Sequence, residues 1–412
     1  MRSRHLREPL RRALADTPVV LVNGARQVGK TTLVRAVPDR RYVNLDDATV
    51  LAAARSDPAG FLGNLQGPVT LDEVQKAPEL FPAIKASVDR ARRPGRFLLT
   101  GSTDVMLLPR LSESLAGRME VLSLSPFSQG ELGGGREWFV DAIFARRLPE
   151  MPRGRLSRRD LVLRTVRGGY PEVQRRGSAA RRAAWFDSYL TAVIQRDVRD
   201  LSQIEGVLAL PRLLGMLAAR SSATLNVADL SRDAGLPHTT VTRYLGLLTA
   251  TFLVQTVPAW AVNIGRRLVK SPRIYLSDTG LLCHLLGLTP ARLGHEPRWL
   301  GPLLETFVLL ELRKQMAWSR ARPGLCHFRT HAGEEVDLLL EDAGGRVVGI
   351  EIKASATVRA VDFRGLRVLA EAAGKRFVRG VVLYGGPEPV GFGPRLLALP
   401  IEALWQLGSE PA

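Results

Sequence analysis

Residues 18–32 read Pro18-Val-Val-Leu-Val-Asn23-Gly24-Ala-Arg-Gln-Val-Gly29-Lys30-Thr31-Thr32. The apolar run 18–23 has the length and composition of a strand buried on both faces, and it passes directly into a glycine-bearing turn and a helical pattern. Within that turn, Gly24 to Thr31 fit the spacing G-x-x-x-x-G-K-[ST]. Glycines at those positions let backbone N–H groups and a helix N-terminus converge on an anion. The lysine then reaches the β and γ phosphates of ATP as a point charge, and the hydroxyl of Thr31 ligates Mg²⁺. Gly24, Ala25, Arg26, Gln27, Val28, Gly29, Lys30, Thr31 and Thr32 are therefore the candidate nucleotide-binding residues.

Working outward, apolar runs recur at 41–45, 68–71, 96–100 and 119–124 and alternate with helical stretches such as 79–91. This alternation predicts an α/β domain, a parallel sheet wrapped by helices, over residues 1–130. The run 68–71 delivers Asp72-Glu73 at its end. Two consecutive carboxylates there suit nucleotide hydrolysis, Asp72 holding Mg²⁺ and Glu73 orienting and deprotonating the attacking water. The next run ends Leu98-Leu-Thr-Gly-Ser102. Its hydroxyls, Ser102 among them, either sit beside the γ-phosphate or cap a polar turn. Arg118, in Leu115-Ala-Gly-Arg118, is a candidate guanidinium for a neighbour's γ-phosphate, a role that requires a homo-oligomer.

Residues 131–206 read as a helical lid or connector. Its block 151–200 holds twelve arginines against five acids, Asp160, Glu172, Asp187, Asp197 and Asp200. Such a run is either a solvated face or a basic interaction surface. Residues 207–300 carry a helix near 207–221, a second at 227–234, the turn Gly235-Leu-Pro-His238, a third helix at 239–250 and an extended segment 252–260. Helix, glycine turn, helix and hairpin make a winged-helix pattern. Thr239, Thr240, Thr242 and Arg243 on the last helix either contact DNA or belong to a packing lid.

Residues 301–412 open with a helix at 301–317 and continue with strands near 325–329, 335–341 and 346–353, a helix at 360–373 and a strand at 379–384. The turn Glu341-Asp-Ala-Gly-Gly345 has hairpin chemistry. Glu351 and Lys353 fall on one face of their strand, and a hairpin brings Asp337 beside them. With Glu305 on the preceding helix, this order resembles the PD-(D/E)XK nuclease core, a restriction-endonuclease-like α/β domain. Asp337 and Glu351 would then be metal ligands, Lys353 the activator of water and Glu305 an auxiliary acid. Glu-x-Lys on a strand is equally a cross-face ion pair. His331 and Glu335 lie near the same cleft and fit turn roles.

Composition narrows the class. The chain has 412 residues, 45% of them hydrophobic, enough for two or three domains with their own cores. No window approaches a membrane-spanning run, and the basic start lacks an apolar signal core, so a cytoplasmic protein with no membrane partner is expected. Cys283 and Cys326 stand alone, which excludes a disulfide framework and a structural zinc site. The formal charge is +18, and only seven of the 58 cations are lysine. An arginine-rich coding habit contributes to that excess, yet the field favours DNA or RNA as a partner.

Taken together, the loop 24–32, Leu71-Asp-Glu-Val-Gln-Lys-Ala-Pro78, Leu99-Thr-Gly-Ser102, Leu115-Ala-Gly-Arg118, Gly168-Gly-Tyr-Pro-Glu172, Glu335-Val-Asp337 and Glu351-Ile-Lys353 resemble the bacterial and archaeal AAA+-type ATPases with a C-terminal DUF4143 region. The resemblance spans nearly the whole chain. The expected function is an Mg-ATP-dependent switch or remodeller acting on nucleic acid, with ATP and Mg²⁺ as cofactors. The alternatives are an ATP-gated metal-dependent nuclease and a non-catalytic scaffold that binds DNA or recruits a partner.

Overall fold

The computed structural model describes residues 2–104, 115–150, 153–198, 209–262 and 270–406. Arg199 and Asp200 of the basic block, and the first two residues of the helix expected at 207–221, lie outside the described residues. The chain divides into two compact units, one formed by Met1–Phe127, Tyr189–Glu205 and Gly246–Leu253 and the other by Ser128–Ser188, Gly206–Leu245 and Val254–Ala412.

In the first unit, β1 (Val19–Asn23), β2 (Arg41–Asn44), β3 (Val69–Asp72), β4 (Phe97–Gly101) and β5 (Met119–Ser123) form a wholly parallel sheet in the order β2-β3-β4-β1-β5. Every residue of β1, β3 and β4 is buried, as strands covered by helices on both faces must be. The helix Leu80–Arg90 turns Leu80, Phe81, Ile84 and Val88 onto the sheet, a helical-period stripe that fills the core with Leu21, Leu71 and Leu99.

The second unit contains the helices Arg158–Arg167, Leu210–Ala219 and Val227–Ala234 and a two-stranded antiparallel hairpin, β6 (Val254–Val257) with β7 (Arg273–Leu276). Asn226 caps the helix at 227 through the N–H groups of Ala228 and Asp229, and Gly235 ends it in the left-handed region at φ 67°. A further helix runs from His238 to Ala250.

Then follow the helix Leu300–Met316, β8 (Gly324–Arg329), β9 (Glu335–Glu341), β10 (Val347–Lys353), the helix Arg364–Ala373, β11 (Phe377–Tyr384), β12 (Val390–Gly393) and β13 (Leu396–Pro400). These strands make a mixed sheet in the order β12-β13-β11-β10-β9-β8. Leu304, Phe307 and Val308 of the first helix pack with Leu338, Leu340 and Ile350, while Leu366 and Leu369 of the second pack with Leu339 and Val382. The expected hairpin turn joins β9 to β10, with Gly345 at φ 74°. Cys283 and Cys326 are buried free thiols. Among the described residues, no helix is long and apolar enough to cross a membrane.

Candidate functional site

The parallel register gathers the first site. Asn23 at the end of β1 lies opposite Gly101 of β4, and Leu71 of β3 lies opposite Leu99. The loop after β1, the acids after β3 and the hydroxyls after β4 consequently meet at the carboxyl edge of the sheet. Glycine is required where the loop starts: Gly24 has φ 144°, and a Cβ there would stand 2.2 Å from the Leu124 carbonyl oxygen. Gly29, at φ 99°, turns the chain into the helix Lys30–Arg35.

Lys30 is 5% exposed, and its ammonium donates to the carbonyls of Gly24 at 2.9 Å and Ala25 at 3.0 Å. Burial lowers its pKa to about 8, opposed by the carboxylates of Glu73, Asp72 and Asp197. Asp72, also buried, accepts from three hydroxyls, those of Thr31 at 2.8 Å, Tyr42 and Thr100. The Thr100 hydroxyl in turn accepts from the Glu73 N–H at 3.1 Å. A hydroxyl and a carboxylate oxygen in contact form the hard-oxygen set that Mg²⁺ prefers, so Thr31 and Asp72 fit that ion.

Glu73 occupies the left-handed region at φ 60°, a conformation that costs a non-glycine residue on the order of 1 kcal/mol. Its carboxylate is held by Gln75, whose side-chain nitrogen donates to Glu73 Oε2 at 2.5 Å and to Ser102 Oγ at 2.9 Å. Glu73 and Ser102, predicted separately, thus share one amide that the sequence did not single out. Arg4 and Asp197, which no motif marks, also brace the loop. Arg4 donates to the carbonyls of Val28 at 2.7 Å and Ser125 at 2.5 Å, and Arg26 pairs with Asp197 at 2.9 Å. Arg26 is thereby directed at a carboxylate of its own chain.

Arg118 lies elsewhere. Its carbonyl accepts from Val19 N–H, at the start of β1, whereas the loop follows the end of that strand. Five residues at about 3.3 Å each separate the two edges by roughly 16 Å. There the Arg118 guanidinium grips Asp89 through two bonds, at 2.5 and 3.1 Å, beside a cleft of about 350 Å³ that Arg92 also lines.

In the second unit, the antiparallel register that sets Leu338 opposite Ile350 carries Asp337 to Glu351, and the two side chains hydrogen-bond. Burial, followed by the Asp337 charge, pushes Glu351 well above the carboxylate range, and Lys353 stands 3.8 Å away. Glu305 is raised by the same two causes. The group is completed by a residue that no motif marks: Arg273 of β7, whose side chain is 6% exposed and whose guanidinium is 2.9 Å from Glu305, 2.8 Å from Glu335 and 3.6 Å from Asp337. Among the described residues no group of three or more His, Cys, Asp or Glu is disposed to hold a metal. A guanidinium among the acids does not fit a metal centre, so no step is assigned to a metal there. His331 is exposed. On the helix His238–Ala250, Thr239, Thr242 and Arg243 are exposed and Thr240 is half-buried.

Comparison with known proteins divides the chain into three segments. Family models match an AAA domain over residues 16–133, a domain of unknown function (DUF8612) over 158–292 and a second (DUF4143) over 300–404. The chain is 35% identical over 407 residues to uncharacterized protein Rv2008c of Mycobacterium tuberculosis and equally to uncharacterized protein Mb2031c of Mycobacterium bovis. Each match covers 97% of this chain and 84% of the relative. A solved Walker-type ATPase of Pyrococcus abyssi aligns at 16% identity with a TM-score of 0.43, over 69% of this chain and 96% of that one. The chain belongs to one family with these two mycobacterial proteins, and its loop, its parallel sheet and the two family models make it an AAA-type P-loop chain with a C-terminal DUF4143 region.

Proposed function

We propose that the chain binds and hydrolyses Mg-ATP and uses the cycle as a switch or remodeller acting on nucleic acid. The observation that carries the hydrolytic part is the single carboxylate of Asp72, which joins the loop through Thr31 and the β4 end through Thr100. The Asp72 contact with Thr31 ties the loop to the strand that presents Glu73.

In this reading the loop N–H groups and Lys30 hold the β and γ phosphates, and Lys30 exchanges its two carbonyl contacts for phosphate oxygens. Thr31 and Asp72 would hold Mg²⁺, which when bound neutralises charge developing on the phosphates. Glu73 accepts the proton of the attacking water, and Gln75 fixes the direction of that carboxylate while presenting Ser102 toward the γ-phosphate. Arg118 supplies its guanidinium to a neighbouring copy, since its own loop lies across the sheet. The net charge of +18 supports a polyanionic client.

The test is steady-state hydrolysis by wild type, Lys30→Ala and Glu73→Gln, each with and without single- and double-stranded DNA and RNA. Both variants should lose turnover, and at least one nucleic acid should stimulate the wild type. Undiminished turnover in both variants would remove the assignment of the site, and indifference to every nucleic acid would remove the client.

A further inference from the structure

We propose that Arg273 is the resident cation of the C-terminal acidic centre. The centre takes no divalent metal, and its acids instead lock the β6–β7 hairpin onto the C-terminal sheet.

The carboxylates come from two elements, Glu305 from the helix Leu300–Met316 and Glu335 and Asp337 from β9, and the guanidinium enters from a third. A planar fork meets acids on several sides through separate N–H groups, as these distances record. Tyr275 is two residues along β7 and so shares the face of Arg273. It donates its hydroxyl to the same Glu305 oxygen at 2.6 Å. Two more acids of the centre have partners of their own. Asp337 Oδ2 takes the Ile352 N–H at 3.0 Å, and Glu351 is bonded to Asp337 with Lys353 beyond it.

Space closes the same way. A Cβ on Gly365 would fall 2.0 Å from the Glu335 carbonyl oxygen and 3.2 Å from Glu351 Oε1, so the helix Arg364–Ala373 rests its backbone directly on the centre. A divalent ion here would need several oxygen ligands and its waters while standing against a fixed positive charge.

What the acids do instead follows from where β7 goes. The hairpin is stitched to edge strand β8 by backbone bonds, Pro258 O accepting from His327 N–H at 2.9 Å and His327 O from Trp260 N–H at 2.6 Å. Lys270 adds a bond to the Arg329 carbonyl at 3.1 Å. Arg273 fastens the other strand of the hairpin to the helix and to β9. Hairpin and sheet therefore move as one body, and any ATP-driven displacement acts elsewhere.

The test uses the full chain without nucleotide. Mn²⁺ binding, read from the loss of the free-ion paramagnetic resonance signal, should be identical in wild type and Asp337→Asn. One fewer bound Mn²⁺ in Asp337→Asn would overturn the proposal, as would DNA or RNA cleavage by wild type that Asp337→Asn abolishes. Arg273→Met strands buried carboxylates, and its melting temperature should fall by on the order of 10 °C, with at least half restored by adding Glu305→Gln. Should Arg273→Met fail to fold, Arg273→Lys keeps the charge without the fork and should melt several degrees low. Wild-type melting in either variant would refute the lock.

Discussion

Gln75 donates its side-chain amide to the carboxylate of Glu73 at 2.5 Å while the same nitrogen reaches Ser102. A carboxylate fixed this way keeps one orientation, which on the proposed function faces the γ-phosphate. Gln75→Ala should lower kcat for ATP hydrolysis by roughly tenfold to a hundredfold with little change in KM, because misdirection of a base acts on the chemical step. Steady-state kinetics separates the two; a rise in KM with kcat intact would assign Gln75 to binding.

Lys30 titrates near pH 8 because burial disfavours its ammonium. The charged form is the one that binds phosphate. Below pH 8 the free protein is ready to bind, and above it binding must take up a proton, so the Kd for ATP should rise by up to about tenfold per pH unit. Titration with a fluorescent ATP analogue from about pH 6.5 to pH 9.5 checks the sign and the midpoint. A flat profile across that range contradicts it.

Thr100 is fully buried and joins the Asp72 carboxylate to the Glu73 N–H. Thr100→Val keeps the shape and removes both bonds. The loss should be about 1–3 kcal/mol, the cost of leaving buried polar groups short of partners. Thermal melting should register it in the absence of nucleotide, and an unshifted melt would show that water replaces the hydroxyl.

Arg118 and Asp89 are partly exposed, with 29% and 44% of their side chains accessible, so their ion pair adds little stability. Arg118→Ala should melt within a degree or two of wild type and yet lose on the order of 10³-fold in turnover, the scale of a guanidinium withdrawn from phosphoryl transfer. Mixing it with Lys30→Ala should restore part of the activity, since each supplies what the other lacks. Equal activity of the mixture and its separate components rules out a role between copies.

Much of the first unit was legible because its signals are local. Buried parallel strands are uniform apolar runs, and the expected runs 18–23, 41–45, 68–71, 96–100 and 119–124 correspond to β1 through β5 within one or two residues. The loop, Asp72-Glu73 and the hydroxyls after β4 are short motifs whose spacing encodes their use. Arg4 and Asp197 carry no such mark: each reaches the loop across more than twenty residues of chain. Arg273 was illegible for a sharper reason. It is one of 51 arginines, and its partners lie 32 and 62 residues away. Strands β12 and β13 were not among the expected elements: β12 carries two glycines in four residues, and β13 is fixed by its pairing with β11.

The two carbonyl bonds that the Lys30 ammonium makes within its own loop bear on nucleotide exchange. A departing nucleotide leaves behind a lysine with partners already in reach, so the loop need not expose an unsatisfied buried cation at the moment of release. On the proposed function, the barrier to letting go would be correspondingly lower, and an arriving nucleotide would meet a loop already shaped. On that same function, a site built this way would favour repeated loading and discharge over long retention of product.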